Sequence, residues 1–203
     1  AGKESVVSDL PGDGDFARAL LARADVAVES FRPGVAARLG IGPDDAPATT
    51  VYCSITGFGA TGRHAQRAGH DLNYAGWAGV LEPTAPALPP VQIADFAAGA
   101  LGAVTEILAA LVERARTGRG ARLVVSMTHG AHRLASRAPV LTSGFACYRM
   151  YETADGRHLT VAALEPKFFA RLCELLGVPE LAGRQYGADQ EALVSELAAV
   201  FGR

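Results

Sequence analysis

Cysteine is scarce in this chain: three occur in 203 residues, Cys53, Cys147 and Cys173, odd in number and far apart. No C-x-x-C pair is present, so a disulfide framework, a zinc motif and a dithiol redox motif are all disfavoured, and a reducing cytoplasm is the expected compartment. An excess of one charge is also lacking. Lys and Arg total 19 against 21 Asp and Glu, a formal net charge of -2, so no broad basic field exists to draw nucleic acid or an anionic membrane. An anionic ligand would have to be held by local arginines. No apolar run reaches the ~18 residues of a membrane span; the longest candidate, around Ala97–Val112, is interrupted by Thr105 and Glu106. The opening residues AGKESVVSDL carry no apolar secretory core. With 49% hydrophobic and 20% charged residues and no internal repeat, the composition is that of an ordinary globular protein with one core or two small ones.

The order of local patterns predicts an α/β fold. Phe16, Leu20 and Leu21 recur at helical spacing within Asp13–Ala24, and Val26–Val28 then reads as a short buried strand. Pro33 and Gly40 bracket one or two helical turns over Val35–Leu39. Thr50–Thr56, β-branched and apolar, reads as a strand running into a glycine-rich loop. Four prolines in Glu82–Pro90 exclude helix and central strand. The longest helical pattern runs from Ile93 to about Arg116, with arginines in its last turn complementing the helix dipole. A strand follows at Leu123–Ser126, then a hairpin signal, Ala154-Asp155-Gly156, between Cys147–Glu152 and His158–Ala163, and two amphipathic helices over Pro166–Leu176 and Asp189–Phe201. Alternating strands and helices point to a mostly parallel sheet with flanking helices over residues 1–120, and to a smaller mixed part over 121–203.

The loop Gly57-Phe58-Gly59-Ala60-Thr61-Gly62 fits G-x-G-x-x-G after a strand. A dinucleotide site would need a helix opening at the third glycine and an acidic residue about twenty positions on. Neither is present, so the glycines are read as a loop that lets backbone approach a ligand. His129 and His132 share a helical spacing without a third ligand at a matching offset, so no metal is expected. His64 and His158 read as solvent-facing. His70 stands apart, because Gly69-His70-Asp71-Leu72-Asn73-Tyr74 concentrates His, Asp, Asn and Tyr between an arginine-rich loop and an apolar run. Asp95 sits at the N-terminal edge of the long helix, where a carboxylate could cap it and where the macrodipole keeps it ionised unless burial opposes. Glu165 ends an apolar strand just before Pro166.

The run from Asp25 to Leu81, including Glu29-Ser30-Phe31-Arg32-Pro33-Gly34 and Gly69–Tyr74, resembles the family III CoA-transferases. His70 places the likeness in the α-methylacyl-CoA racemase branch, since transferase members usually carry an aromatic residue there. The resemblance continues through Ala94–Gly99, Arg116–Gly120, Tyr151–Gly156 and Leu164–Phe168. It implies an α/β CoA-binding domain with a smaller second domain. It also implies interlocked subunits with shared active sites, so a homodimer or higher oligomer is expected. His70 and Asp95 are implied as the acid/base pair, with Glu165 in support, and Arg32 as a contact to the CoA nucleotide. Glu29, Arg67, Gly69, Asp71, Asn73 and Tyr74 complete the expected substrate- and CoA-binding set, CoA entering as part of an acyl-CoA thioester rather than as a separate cofactor. The chain resembles a family member shortened at both ends. Pro11 stands where a lysine is expected near the CoA phosphates, and Val124 and His129 stand where acidic residues are common.

Two chemistries follow from that resemblance. Removal and return of an α-proton on opposite faces of a 2-methylacyl thioester needs one base and one acid, tasks for His70 and Asp95. A CoA-transferase would instead use Asp95 as a nucleophile, passing through an acyl-aspartyl anhydride without need of His70. A degenerate or repurposed member, binding without either chemistry or acting on a substrate not carried by CoA, is the third reading. Donors for the thioester oxygen are expected at the start of the long helix or at Gly69.

Overall fold

The computed structural model describes residues 2–10, 12–135 and 138–203; Pro11 and its expected departure from lysine lie outside them. Two compact units divide the chain, residues 1–135 and 136–203.

In the first unit α1 (Gly14–Arg23) leads into β1 (Val26–Glu29), followed by the short α2 (Val35–Arg38) and β2 (Val51–Thr56). After the glycine loop come α3 (Asp71–Ala78), a π-helical segment Ile93–Leu101 continuing as α4 (Gly102–Thr117), then β3 (Arg122–Ser126) and α5 (Met127–Leu134). The three strands form a parallel sheet in the order β1-β2-β3, with Val26 opposite Val51 and Tyr52 opposite Arg122. The predicted α/β architecture therefore holds. Its first part, however, runs past Gly120 to Ala135. The reason is that β3 completes the sheet beside β2, and α5 presses on the π-helical segment closely enough that a Cβ at Gly130 would come within 2.7 Å of the Ala98 side chain.

Alternation along β2 explains how both sheet faces are covered. Tyr52 packs with Leu21 and Ala46 on one face, its hydroxyl donating to the Ile41 carbonyl at 2.7 Å. Cys53, on the opposite face, packs with Ala103 of α4 and Val125 of β3.

The helical run Ile93–Thr117 corrects one reading. At 25 residues with a mean hydropathy of 1.6 it is long and apolar enough, by length and composition alone, to cross a membrane. Thr105 and Glu106 do not break it: the Thr105 hydroxyl donates to the Leu101 carbonyl at 2.9 Å, and the flanking Ala, Leu and Val residues dominate the average. One face of α4 packs on the sheet through Ala103 and Ile107. Another presents Leu101, Val104, Leu108 and Val112, all more than half exposed, at helical spacing.

The second unit is built on the expected hairpin. β4 (Tyr148–Glu152) and β5 (His158–Ala162) pair antiparallel, and Asp155 ties the turn by accepting from Thr153 Oγ1 at 2.6 Å and Arg157 Nε at 2.7 Å. Helices α6 (Pro166–Leu175) and α7 (Gln190–Phe201) follow. Phe169, Cys173, Leu193 and Leu197 are fully buried there with Cys147, and Tyr151 and Val161 are nearly so.

Candidate active site

His70 occupies the N-cap of α3 in an extended conformation, and the Asn73 side-chain oxygen accepts its backbone N–H at 3.0 Å. Asp71, the first helical residue, turns elsewhere. Its Oδ1 accepts from the Ala94 and Asp95 backbone N–H groups at 2.7 and 2.8 Å, supplying acceptors that the start of the long helix otherwise lacks. One carboxylate oxygen thus couples the His70 end of α3 to the Asp95 end of the long helix. Asp95 is not the cap; Gln92 holds that position and Asp95 lies in the first turn. The winding there is i→i+5, as in the bond from the Ala97 N–H to the Gln92 carbonyl.

Asp95 Oδ1 is buried and has no hydrogen-bond partner among the described residues. Burial pushes the carboxyl above its ordinary value of 3.8, the neighbouring Asp71 adds to the rise, and His70 and a backbone hydrogen bond from Asp71 oppose it. The condition attached to its ionisation is met, and burial does oppose the macrodipole.

No helix opens at Gly62, so the dinucleotide geometry is absent. The loop glycines answer a steric demand instead. The Tyr74 ring lies so close to Gly57 and Gly69 that a Cβ would stand 2.4 Å and 2.6 Å from it. The Tyr74 hydroxyl donates to the Gly69 carbonyl at 2.6 Å, and Phe58 meets the ring edge-on at 5.0 Å. Burial raises the Tyr74 pKa, with Asp95 reinforcing and Arg32 opposing. Tyr74 therefore braces the loop that leads into His70.

Two clefts meet at His70. One, of about 430 Å³, is lined by Arg32, Arg67, Gly69, His70, Asn73 and Tyr74. Neither arginine has an ion-pair partner among the described residues. Gln66 donates to the Pro33 carbonyl at 3.0 Å, tying the glycine loop to the Arg32 turn. Glu29 shapes that turn from below, its Oε2 accepting the Phe31 N–H at 2.7 Å. The second cleft, of about 520 Å³, is lined by His70, Asp71 and Asp95 together with Leu72, Leu81, Leu88 and Val91.

Of the predicted residues, then, His70 and Asp95 share one cleft, and Arg32, Arg67, Gly69, Asn73 and Tyr74 share the other with His70. Glu165 belongs to the second unit, where it is exposed at the N-cap of α6 and its carbonyl accepts from the Phe168 and Phe169 N–H groups. His64 is not solvent-facing. Its ring meets Trp77 at a tilt with centroids 4.5 Å apart, and its Nδ1 is buried without a partner among the described residues. The apolar wall of the second cleft escaped the sequence reading, although Leu88-Pro89-Pro90-Val91 directly precedes the Asp95 segment and signalled an ordered apolar loop.

The family model described as CoA-transferase family III matches residues 1–203. Alpha-methylacyl-CoA racemase from Mus musculus is 35% identical over 100% of this chain and 60% of its own length. Succinyl-CoA:glutarate CoA-transferase from Mus musculus is 33% identical over 80% of this chain and 42% of its own. A crystal structure of Rv3272 from Mycobacterium tuberculosis superposes with a TM-score of 0.80 at 31% identity, covering 98% of this chain and 61% of that one. The chain spans between 42% and 61% of the length of these relatives.

Proposed function

Because the chain belongs to CoA-transferase family III, we propose that it interconverts 2-methylacyl-CoA stereoisomers by removing and returning the α-proton, with His70 and Asp95 as the acid/base pair. The observation that carries the reading is the shared cleft: an imidazole and a carboxylate with one buried, unpartnered oxygen line the same space. A carboxyl held above its ordinary value keeps its proton to higher pH, so it can still serve as a general acid there, and once ionised it is a stronger base than a solvated carboxylate. General acid/base catalysis of this kind contributes ~10²–10⁴-fold.

The thioester oxygen needs a donor as charge develops. Ala94 and Asp95 N–H groups are already committed to Asp71, so the start of the long helix is a poor source at those two positions. The Gly69 N–H, at the mouth of the His70 cleft and without an acceptor among the described residues, is the better one. Arg32 and Arg67 are suited to the anionic nucleotide of CoA, which enters with the substrate. We assign the chain to a reducing cytoplasm on its three buried free cysteines. Assembly as a homodimer or larger oligomer is supported by the exposed apolar stripe of α4.

The same unpartnered oxygen suits a second reading, in which Asp95 attacks an acyl-CoA to form an anhydride. Incubation with a 2-methylacyl-CoA in deuterated water separates the two. Racemase activity predicts α-deuterium by mass spectrometry with no second acid required, lost in both H70A and D95A. A hydroxylamine-trapped acyl-aspartate, with H70A still transferring CoA, overturns it in favour of the transferase.

A further inference from the structure

We propose that His64 is a positioning residue for the arginine cleft: its neutral imidazole seats the loop over residues 57–70 against α3, which places Arg67, and taking up a proton releases that loop. The effect on a ligand rests on the reading of Arg32 and Arg67 as holders of the anionic nucleotide of CoA. The latch itself does not.

The loop between β2 and α3 contains no helix or strand, so side chains must hold it in place. Its ends are pinned. At one, the Thr128 hydroxyl and N–H donate to the Gly57 carbonyl at 2.8 and 3.0 Å; at the other, the Tyr74 hydroxyl donates to the Gly69 carbonyl. The middle rests on His64. Its ring lies at a tilt on Trp77 of α3, centroids 4.5 Å apart, with Phe58 6.1 Å from both rings, while Trp77 is otherwise 55% exposed. The His64 carbonyl in turn accepts the Arg67 N–H at 2.9 Å. Where His64 sits therefore decides where the Arg67 backbone sits, and Arg67 lines the cleft beside His70.

One bond restricts this seat to the uncharged ring. The Arg63 Nε–H donates to His64 Nε2 at 2.8 Å, and a guanidinium nitrogen has no lone pair to offer in return. Nε2 must be bare, so the neutral ring carries its hydrogen on Nδ1, which is buried with no partner among the described residues. A second proton can enter only at Nε2. There it meets a donor and a cation, so the Arg63 bond breaks and the charged ring is better solvated in water. The charged groups facing His64 are Arg63 and Arg67 of its own loop; α3 offers Trp77, which does not titrate, and its Tyr74 hydroxyl is turned to Gly69. Burial first, then Arg67 and Arg63, hold the proton affinity of His64 below the ordinary value of 6.5. The seat is thus complete above about pH 6.5 and is lost as pH falls through the lowered value.

Trp77 is the chain's one tryptophan, so its fluorescence reports the seat directly. Between pH 7.5 and 5 the wild-type emission should shift to longer wavelength with a midpoint below 6.5. Over the same range hydrogen exchange across residues 58–68 should quicken, and calorimetric affinity for coenzyme A should fall several-fold. H64F keeps an aromatic ring on Trp77 and cannot titrate, so its emission and exchange should stay flat and its affinity should fall by less; the comparison cancels titration of the ligand phosphates and of His70. H64A should show the faster loop exchange and several-fold weaker coenzyme A binding already at pH 7.5. R63M frees Nε2 to take a proton in place and should move the midpoint upward. An emission step that survives in H64F, a wild type flat to pH 5, or an R63M midpoint that stays put overturns the latch. Wild-type loop exchange in H64A at pH 7.5 overturns the seat, and coenzyme A affinity that falls equally in wild type and H64F overturns the positioning of the cleft. A wild type that binds no coenzyme A at any pH sinks the nucleotide reading of the arginines instead, and emission and exchange still decide the latch.

Discussion

Removing the Asp71 side chain tests the idea that one carboxylate holds the two halves of the site together. D71A takes away the acceptor of the Ala94 and Asp95 N–H groups, now satisfied at 2.7 and 2.8 Å. Hydrogen bonds to a charged acceptor contribute about 1.5–3 kcal/mol each, and a desolvated amide left without a partner costs about 1–3 kcal/mol. Water reaches this partly exposed region, so about 2–4 kcal/mol for the pair is the working figure. At about 3 °C per kcal/mol for a unit of this size, Tm falls by roughly 6–12 °C. D71N keeps an oxygen in place and loses only its charge, so its Tm should fall by less than half as much. The charge change is read separately. Asp71 is a like charge that helps keep Asp95 protonated, after burial itself. D71N should therefore move the acid limb of the kcat/KM profile for α-proton exchange to lower pH. The assays are thermal melting by circular dichroism and deuterium incorporation between pH 4 and 9. A D71A melt within a degree of wild type, or a D71N acid limb that stays put or moves upward, would refute the coupling.

D95N should be more stable than wild type at neutral pH, because the native state of the wild type favours the protonated carboxyl. The stabilisation from that bound proton is complete below the unfolded value of 3.8 and is lost as pH rises through the raised native value. Melting across pH therefore shows the D95N advantage growing upward from pH 4, and an advantage that shrinks instead contradicts the burial argument. R32A should raise KM for a CoA ester with little loss of kcat, since a remote nucleotide contact holds ground and transition states alike; a fall in kcat alone removes Arg32 from that role. L108E places a charge in the exposed α4 stripe and should shift the assembly toward monomer in light scattering over a dilution series, whereas a wild type already monomeric at micromolar concentration defeats the proposed assembly.

Much of the scaffold could be read from local pattern because local chemistry decides it. β2 is continuously buried at Val51-Tyr52-Cys53, and the Asp155-Gly156 turn closes its hairpin with its own side chains. Helices α3 and α5 were not anticipated. Each carries glycine in its interior, Gly76 and Gly130, and α5 adds two histidines, so intrinsic propensity is weak. Packing decides them: Gly130 is what lets α5 approach Ala98. The site divides along the same line. His70 and Asp95 stood out by composition and family likeness, while their shared cleft depends on a bond between residues 23 and 24 positions apart, which no periodicity encodes.

The adjacent pair His70-Asp71 shows why the motif could be recognised before its parts could be assigned. At the N-terminus of a helix, successive side chains diverge by about 100°. His70, extended at the N-cap, opens onto both clefts, whereas Asp71 turns toward the long helix and spends one oxygen on two amides. By residue type alone, Asp71 could serve the cleft as a carboxylate just as well as Asp95. Its hydrogen bonds make it the brace, and they leave Asp95, whose own amide it holds, as the carboxylate with an oxygen to spare. A swap of the two residues would therefore preserve composition and charge while removing both the brace and the group that faces the clefts.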